Sequence, residues 1–298
     1  MSESRFRDDP VLVELLGRVQ GLGFDARGVV EGLLSGRHRS PHHGVSVEFA
    51  EHKAYSPGDE IRNIDWKAFA RSDRLQVKRF HHETDLTARI ILDGSGSMAY
   101  GGDGATKYRA ASIFALALSY LLLKQGDRVE LMLASDRLLG RVPGAAGLGH
   151  FQAIAELLEQ IEPEGETGLG HVLGDEVERI GRRKAVLVFT DGFEDLDGLF
   201  NPLRALVARQ CSVTIVHVVH GDELAFPFEG VREFRSLEHP SRLVVEPQMI
   251  RGEYLKRLDA HFGSLAERAR VCGIGLMRLR SDLPMEEPLF ELLRAGLP

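Results

Sequence analysis

The 298-residue sequence has only two cysteines, Cys211 and Cys272, and no metal-ligand spacing around them. That shortage excludes a disulfide-dependent scaffold, and two lone thiols suit a reducing compartment. Positive charge is also short: 37 Lys plus Arg stand against 44 Asp plus Glu, for a formal net charge of −7 and a pI near 6.0. A general binder of nucleic acid or of anionic membrane needs the opposite balance. Long apolar runs are missing as well. The most apolar stretch, AASIFALALSYLLL from Ala110 to Leu123, falls short of the roughly 20 residues that span a bilayer. It contains Ser112, Ser119 and Tyr120, is bracketed by Lys107, Arg109 and Lys124, and reads as a helix buried in a soluble core. The opening MSESRFRDDP is charged and reads as neither signal peptide nor anchor.

What is present points to an α/β protein. At this length a chain buries roughly three quarters of the surface it exposes when unfolded, enough for one large domain with an appendage or for two domains. Charge separates two parts: up to residue 87 there are 13 Lys plus Arg and 14 Asp plus Glu, and beyond it 24 and 30. Six of the twelve histidines also fall in the first part. The first part, 1–87, combines helical spacing in VLVELLGRVQ and ARGVVEGLLSG with a strand-like RLQVKRF, separated by the turn-forming SPHHG and SPGDE. The second part, 88–298, alternates apolar strands with helices. The expected strands are ARIILD (88–93), RVELMLA (128–134), KAVLVFT (184–190), SVTIVHVV (212–219) and GIGLMRLR (273–280). Helices are expected near 105–125, 149–160, 169–181, 198–210 and 250–271. Apolar strands without polar alternation, separated by helices, predict a mostly parallel, doubly wound sheet covered on both faces, with ligands at the C-terminal strand ends.

At that edge the first strand runs into ILDGSGSMAYG, which sets Asp93, Ser95 and Ser97 at alternate positions between Gly94 and Gly96. A carboxylate and two hydroxyls on such a loop can converge on a hard cation that takes oxygen ligands, at roughly 2.0–2.1 Å for magnesium. VFTDG places Asp191 at the same edge, and Thr167 in GETGLG offers a third hydroxyl before a later helix. Each piece alone is ordinary turn chemistry; their joint occurrence is not. Other sites fail on spacing. The Gly-x-Ser-x-Gly elbow of α/β hydrolases is absent around Ser95 and Ser97, GGDGATK does not meet the nucleotide-binding P-loop pattern, and the loop lacks the carboxylates of an EF-hand. A hydrolase would need a base beside the open coordination position, for which His171, Glu166 and Glu194 are the candidates. His171, about one helical turn past Thr167, reads as a helix-surface residue.

The combination resembles the von Willebrand factor A domain and its metal-ion-dependent adhesion site. The resemblance implies that Asp93, Ser95, Ser97, Thr167 and Asp191 hold Mg²⁺, or Mn²⁺ or Ca²⁺, directly or through water, and that an acidic group from a partner completes the shell. A second resemblance lies upstream. Glu48 and Phe49, then Tyr55, Pro57, Gly58 and Asp59, then Arg62, Ile64, Asp65, Trp66, Ala70, Arg71, Val77, Lys78 and Glu83 follow the pattern of the bacterial family called domain of unknown function 58. That likeness runs from about residue 36 to about 200. It implies a smaller N-terminal β-containing domain beside the sheet domain, and work as an adaptor or co-chaperone of a MoxR-type AAA+ ATPase acting on a client protein complex. Many relatives carry N-terminal membrane segments or an eroded metal motif; this sequence shows neither, which implies a cytoplasmic member able to bind metal.

PGDEIRNIDW reads chiefly as a folding motif, a turn with an Arg–Asp pair and a packed Trp66. Its functional alternative is a docking surface of Arg62, Lys67, Arg71, Arg74, Lys78 and Arg79, weakened as a nucleic-acid stripe by Asp65 and Asp73. The doublets His42/His43 and His81/His82 suggest zinc only weakly, because neighbours on an extended chain face opposite ways.

Overall fold

The computed structural model describes residues 47–54, 76–82, 87–102 and 106–295. The two N-terminal helical stretches, His42/His43, PGDEIRNIDW, Arg62, Lys67, Arg71 and Arg74 lie outside the described residues. By contact the chain divides into a unit spanning Arg39–Asp85 and a larger one that carries Leu86–Pro298.

In the smaller unit β1 (Val47–Ala54) pairs antiparallel with β2 (Gln76–His82). The second strand answers to RLQVKRF and contains Lys78, Arg79, His81 and His82. The first falls between the turn-forming SPHHG and SPGDE, where the sequence pattern predicts no strand. Its register shifts between Phe49 and Glu51, and such a bulge breaks the two-residue alternation that marks a strand in sequence.

The larger unit is built on a six-stranded sheet. Its strands are β3 (Thr87–Asp93), β4 (Arg128–Ala134), β5 (Leu138–Ala145), β6 (Ala185–Thr190), β7 (Ser212–Val219) and β10 (Gly275–Arg280), in the spatial order β10-β7-β6-β3-β4-β5. All neighbours are parallel except β4 and β5. The five strands expected from the sequence are all there. The sixth, β5, is an antiparallel edge whose Pro143 and two glycines hide it from a propensity reading; an edge strand tolerates a proline that a central strand does not.

Helices α1 (Lys107–Gln125), α2 (Phe151–Gln160) and α7 (Glu286–Ala295) contribute to the core on one face. Helices α3 (Leu169–Ile180), α4 (Leu196–Ala208) and α6 (Pro247–Cys272) cover the other. Successive strand residues serve opposite faces. Ile90, Leu92, Leu187 and Phe189 enter the first core, and Ile91, Val186 and Val188 enter the second, all with no exposed surface. That is why these strands read as unbroken apolar runs, each such side chain contributing about 1.5–3 kcal/mol.

The apolar stretch at 110–123 is α1. It starts at Thr106, whose hydroxyl accepts the Arg109 N–H at 3.2 Å, and ends at Gly126 in the left-handed conformation with φ 92°. Ser119 satisfies its buried hydroxyl on the Ala115 carbonyl at 2.7 Å. Among the described residues no helix is long and apolar enough to cross a membrane.

Helix α3 meets α4 at Gly170, where an added Cβ would lie 2.5 Å from the Gly198 carbonyl. Gly170→Ala is therefore expected to lower stability by about 1–3 kcal/mol, read from the denaturation midpoint, because backbone rather than a flexible side chain must yield.

Between β7 and α6 lie elements with no counterpart in the sequence reading: a short helix α5 (Gly221–Ala225) and an antiparallel hairpin of β8 (Arg232–Arg235) and β9 (Arg242–Val245). The hairpin strands are four residues each, mostly exposed and arginine-bearing, so no apolar period announces them.

Candidate metal centre

β3 and β6 are the neighbours from which the chain departs to opposite sides of the sheet, and the crevice at such a switch point lies beyond the carboxyl ends of the strands. Asp93 ends β3, Thr190 ends β6, and Asp191 follows it. Both aspartates have no exposed surface.

Asp93 Oδ1 accepts the Ser95 N–H at 2.9 Å, a turn that folds the loop back, and Oδ2 accepts the Thr190 hydroxyl at 2.7 Å. The Ser95 and Ser97 hydroxyls then lie 3.1 Å apart. A second loop is fastened to this one. The Glu164 N–H donates to the Gly94 carbonyl at 3.0 Å and the Gly96 N–H to the Gly165 carbonyl at 2.9 Å, which draws the loop bearing Thr167 toward the serines. Thr167 itself donates its hydroxyl to Glu238 Oε1 at 2.5 Å and its N–H to Glu238 Oε2 at 3.3 Å.

Asp191 accepts the Lys107 ammonium on Oδ2 at 2.8 Å and the Phe193 N–H on Oδ1 at 3.2 Å. Lys107, 1% exposed, also donates to Glu223 Oε1 at 2.6 Å. Its Nζ stands 5.9 and 5.5 Å from the ring centres of Tyr100 and Phe193. The Asp191 carbonyl lies 3.0 Å from His217 Nε2. Glu194 accepts the Gly170 N–H on Oε2 at 3.1 Å, while its buried Oε1 has no partner.

The electrostatics record a shortage of positive charge. Burial, with repulsion from Asp191, raises the Asp93 carboxyl from 3.8 to about 6. Burial raises the Glu194 carboxyl to about 7 against the Gly170 bond, and Asp93 and Asp191 add to the rise. Burial pulls the Lys107 ammonium down, but Asp191 and Glu223 more than offset this and hold it above its ordinary value. Burial, then the Arg278 charge, lowers His217 to about 4, so its imidazole is neutral at pH 7.

This donor set fits a hard divalent cation. Asp93 and Asp191 supply carboxylate oxygen, Ser95 and Ser97 paired hydroxyls, and Glu194 an unpartnered buried oxygen, while the Lys107 ammonium is shared between Asp191 and Glu223. Among the described residues no three His, Cys, Asp or Glu side chains are grouped as a metal-binding cluster.

Of the residues singled out in the sequence, Asp93, Ser95, Ser97 and Asp191 share the switch-point crevice, and Thr167 stands on the loop tied to it. His171 is exposed on α3, and Glu166 pairs with His239 at 3.1 Å. Lys107, Thr190, Glu223 and Glu238 carry the arrangement without having been singled out. Lys107 had one signal: a cation in the first turn of a helix opposes the helix dipole and needs a reason.

A profile of the family described as protein of unknown function DUF58 matches residues 51–262. An uncharacterised protein of Mycobacterium tuberculosis, Rv1480, is 26% identical over 279 residues, covering 92% of this chain and 86% of that protein. In solved structures, the chain is similar to BatB of Bacteroides thetaiotaomicron (17% identity, 70% of this chain and 96% of that one, TM-score 0.46). It is also similar to a von Willebrand factor type A protein of Catenulispora acidiphila (14% identity, 72% and 43%, TM-score 0.43).

Proposed function

The chain belongs to the family described as protein of unknown function DUF58, and we propose that its six-stranded α/β sheet domain, von Willebrand A-like in its mostly parallel order, is a non-enzymatic protein-interaction module. Asp93, Ser95, Ser97, Thr167 and Asp191 hold a divalent cation, Mg²⁺ first and Mn²⁺ or Ca²⁺ by the same oxygen preference, and an acidic group of the partner completes the site. The single observation behind this reading is the buried excess of carboxylate at the switch point, with Asp93 forced up to about 6 beside Asp191 and two hydroxyls 3.1 Å apart. Bound there, the cation supplies the positive charge that draws in a carboxylate from outside. The chain's own residues do the positioning: Thr190 and the Ser95 amide fix Asp93, and Lys107 fixes Asp191. The partner proposed is a MoxR-type AAA+ ATPase with its client complex, in the cytoplasm, as the sequence resemblance implies.

One observation favours a second reading, a metal-dependent hydrolase of phosphoryl or acyl substrates: Glu194 has a free buried oxygen and a carboxyl near 7, values suited to a base. The interaction reading is preferred because Glu194 is tied to Gly170 and Glu238 already sits on Thr167.

Titration calorimetry separates the possibilities. Mg²⁺ or Mn²⁺ should give binding heat with the wild type and none with Asp93→Ala, and neither protein should turn over p-nitrophenyl phosphate or acetate. Equal heat from both proteins sinks the site; metal-dependent turnover lost in Asp93→Ala sinks the non-enzymatic reading.

A further inference from the structure

The hairpin of β8 and β9 does more than decorate the sheet. Arg235 pairs with Arg242, so residues 236–241, SLEHPS, form the tip. The tip is shaped from within: Ser236 Oγ accepts the N–H groups of Glu238 at 3.2 Å and His239 at 3.1 Å, and the Ser236 N–H donates to the Ser241 carbonyl at 3.0 Å.

Three separate contacts seat this tip on the metal centre. Glu238 takes both the hydroxyl and the N–H of Thr167. His239 meets Glu166, one residue before Thr167, at 3.1 Å. The Leu237 carbonyl lies so close over Gly96, between the two serines, that a Cβ there would stand 2.2 Å from it. Glu238 is half-buried while its neighbours Leu237 and His239 are exposed, so the tip points one carboxylate inward.

We propose that Glu238 is an internal carboxylate ligand of the metal centre, standing in the place that a partner's acidic group takes, and that the hairpin is a plug the partner displaces. The inference rests on the interaction-module reading and names its regulation. A carboxylate held on the chain has a high effective concentration, so it strengthens cation binding and weakens capture of an outside carboxylate. Only a partner presenting several contacts, or one that grips the hairpin itself, then engages the site.

The test uses Mn²⁺ as the cation and acetate as the outside carboxylate, on the full chain. Wild type, Glu238→Gln and Asp93→Ala are titrated with Mn²⁺ by electron paramagnetic resonance, and the water-proton relaxation of the bound ion is followed as acetate is added. Glu238→Gln should bind Mn²⁺ about tenfold more weakly, show higher relaxation per bound ion because water replaces the lost ligand, and lose that excess as acetate displaces the water, while the wild type, with Glu238 in that position, changes little. A thermal melt confirms the fold of this conservative change on a surface tip. Glu238→Gln matching the wild type in affinity, relaxation and acetate response overturns the plug while leaving the metal site standing. Wild type binding no more Mn²⁺ than Asp93→Ala overturns the metal reading and the plug with it.

Discussion

Lys107→Met is expected to lower the folding free energy by about 3–5 kcal/mol, the cost of stripping one member from a buried, hydrogen-bonded charge cluster. The ammonium is 1% exposed and is shared by Asp191 at 2.8 Å and Glu223 at 2.6 Å. Methionine fills a similar volume but leaves both carboxylates without a counter-charge in a crevice that already holds Asp93. Most of the loss comes from those stranded charges rather than from the bonds themselves, and this distinguishes the explanation from simple loss of packing. Adding Glu223→Gln to Lys107→Met should recover about 1–2 kcal/mol, because an amide costs less to bury than an unpaired carboxylate. Denaturant unfolding of the wild type and the single and double variants measures this. A double variant no more stable than Lys107→Met alone would show that Glu223 is not charged against Lys107 as described.

Asp93→Asn should have opposite effects on metal binding and on stability. Asparagine keeps the shape: its Oδ1 can accept the Ser95 N–H, and its amide can donate to the Thr190 hydroxyl oxygen. What it removes is a buried charge that faces Asp191. The Asp93 carboxyl is raised to about 6 in the folded protein from 3.8, so its ionised form is disfavoured by folding. Its cost is absent below pH 3.8, grows between pH 3.8 and 6, and is constant above. At pH 7 it reaches up to about 3 kcal/mol by linkage. In a chelator at pH 7 the Asn variant should therefore be the more stable protein, by about 1–3 kcal/mol, and its advantage should vanish by about pH 4. Metal reverses the comparison: at a thousand times the dissociation constant the wild type gains about 4.1 kcal/mol, and the variant gains nothing. Unfolding curves with chelator and with Mg²⁺, at pH 7 and pH 4, give all four values. A variant less stable than wild type in chelator would mean that Asp93 is a net structural support rather than a strained ligand.

Much of this protein is legible along the chain. Ile90 to Leu92 and Val186 to Phe189 announce central parallel strands because both faces of each are covered, and that coverage is written into unbroken apolar runs. Asp93, Ser95 and Ser97 announce a cation loop because three oxygen donors at alternate positions need no partner from elsewhere to be suggestive. The edge strand β5 and the hairpin at 232–245 were not legible, since short, exposed or proline-bearing strands carry no period.

The sequence by itself determined the five parallel strands, the helices that cover them and the oxygen-rich loop at their edge, because each is written in a run of consecutive residues. Only the tertiary structure decided which charges meet there. Lys107 reaches Asp191 across 84 positions and Glu223 across 116, and Thr167 reaches Glu238 across 71. Those pairings follow from strand order and loop closure, which no local pattern encodes. They turn a loop that could hold a cation into a crowded, charge-starved centre with a carboxylate of its own already in place.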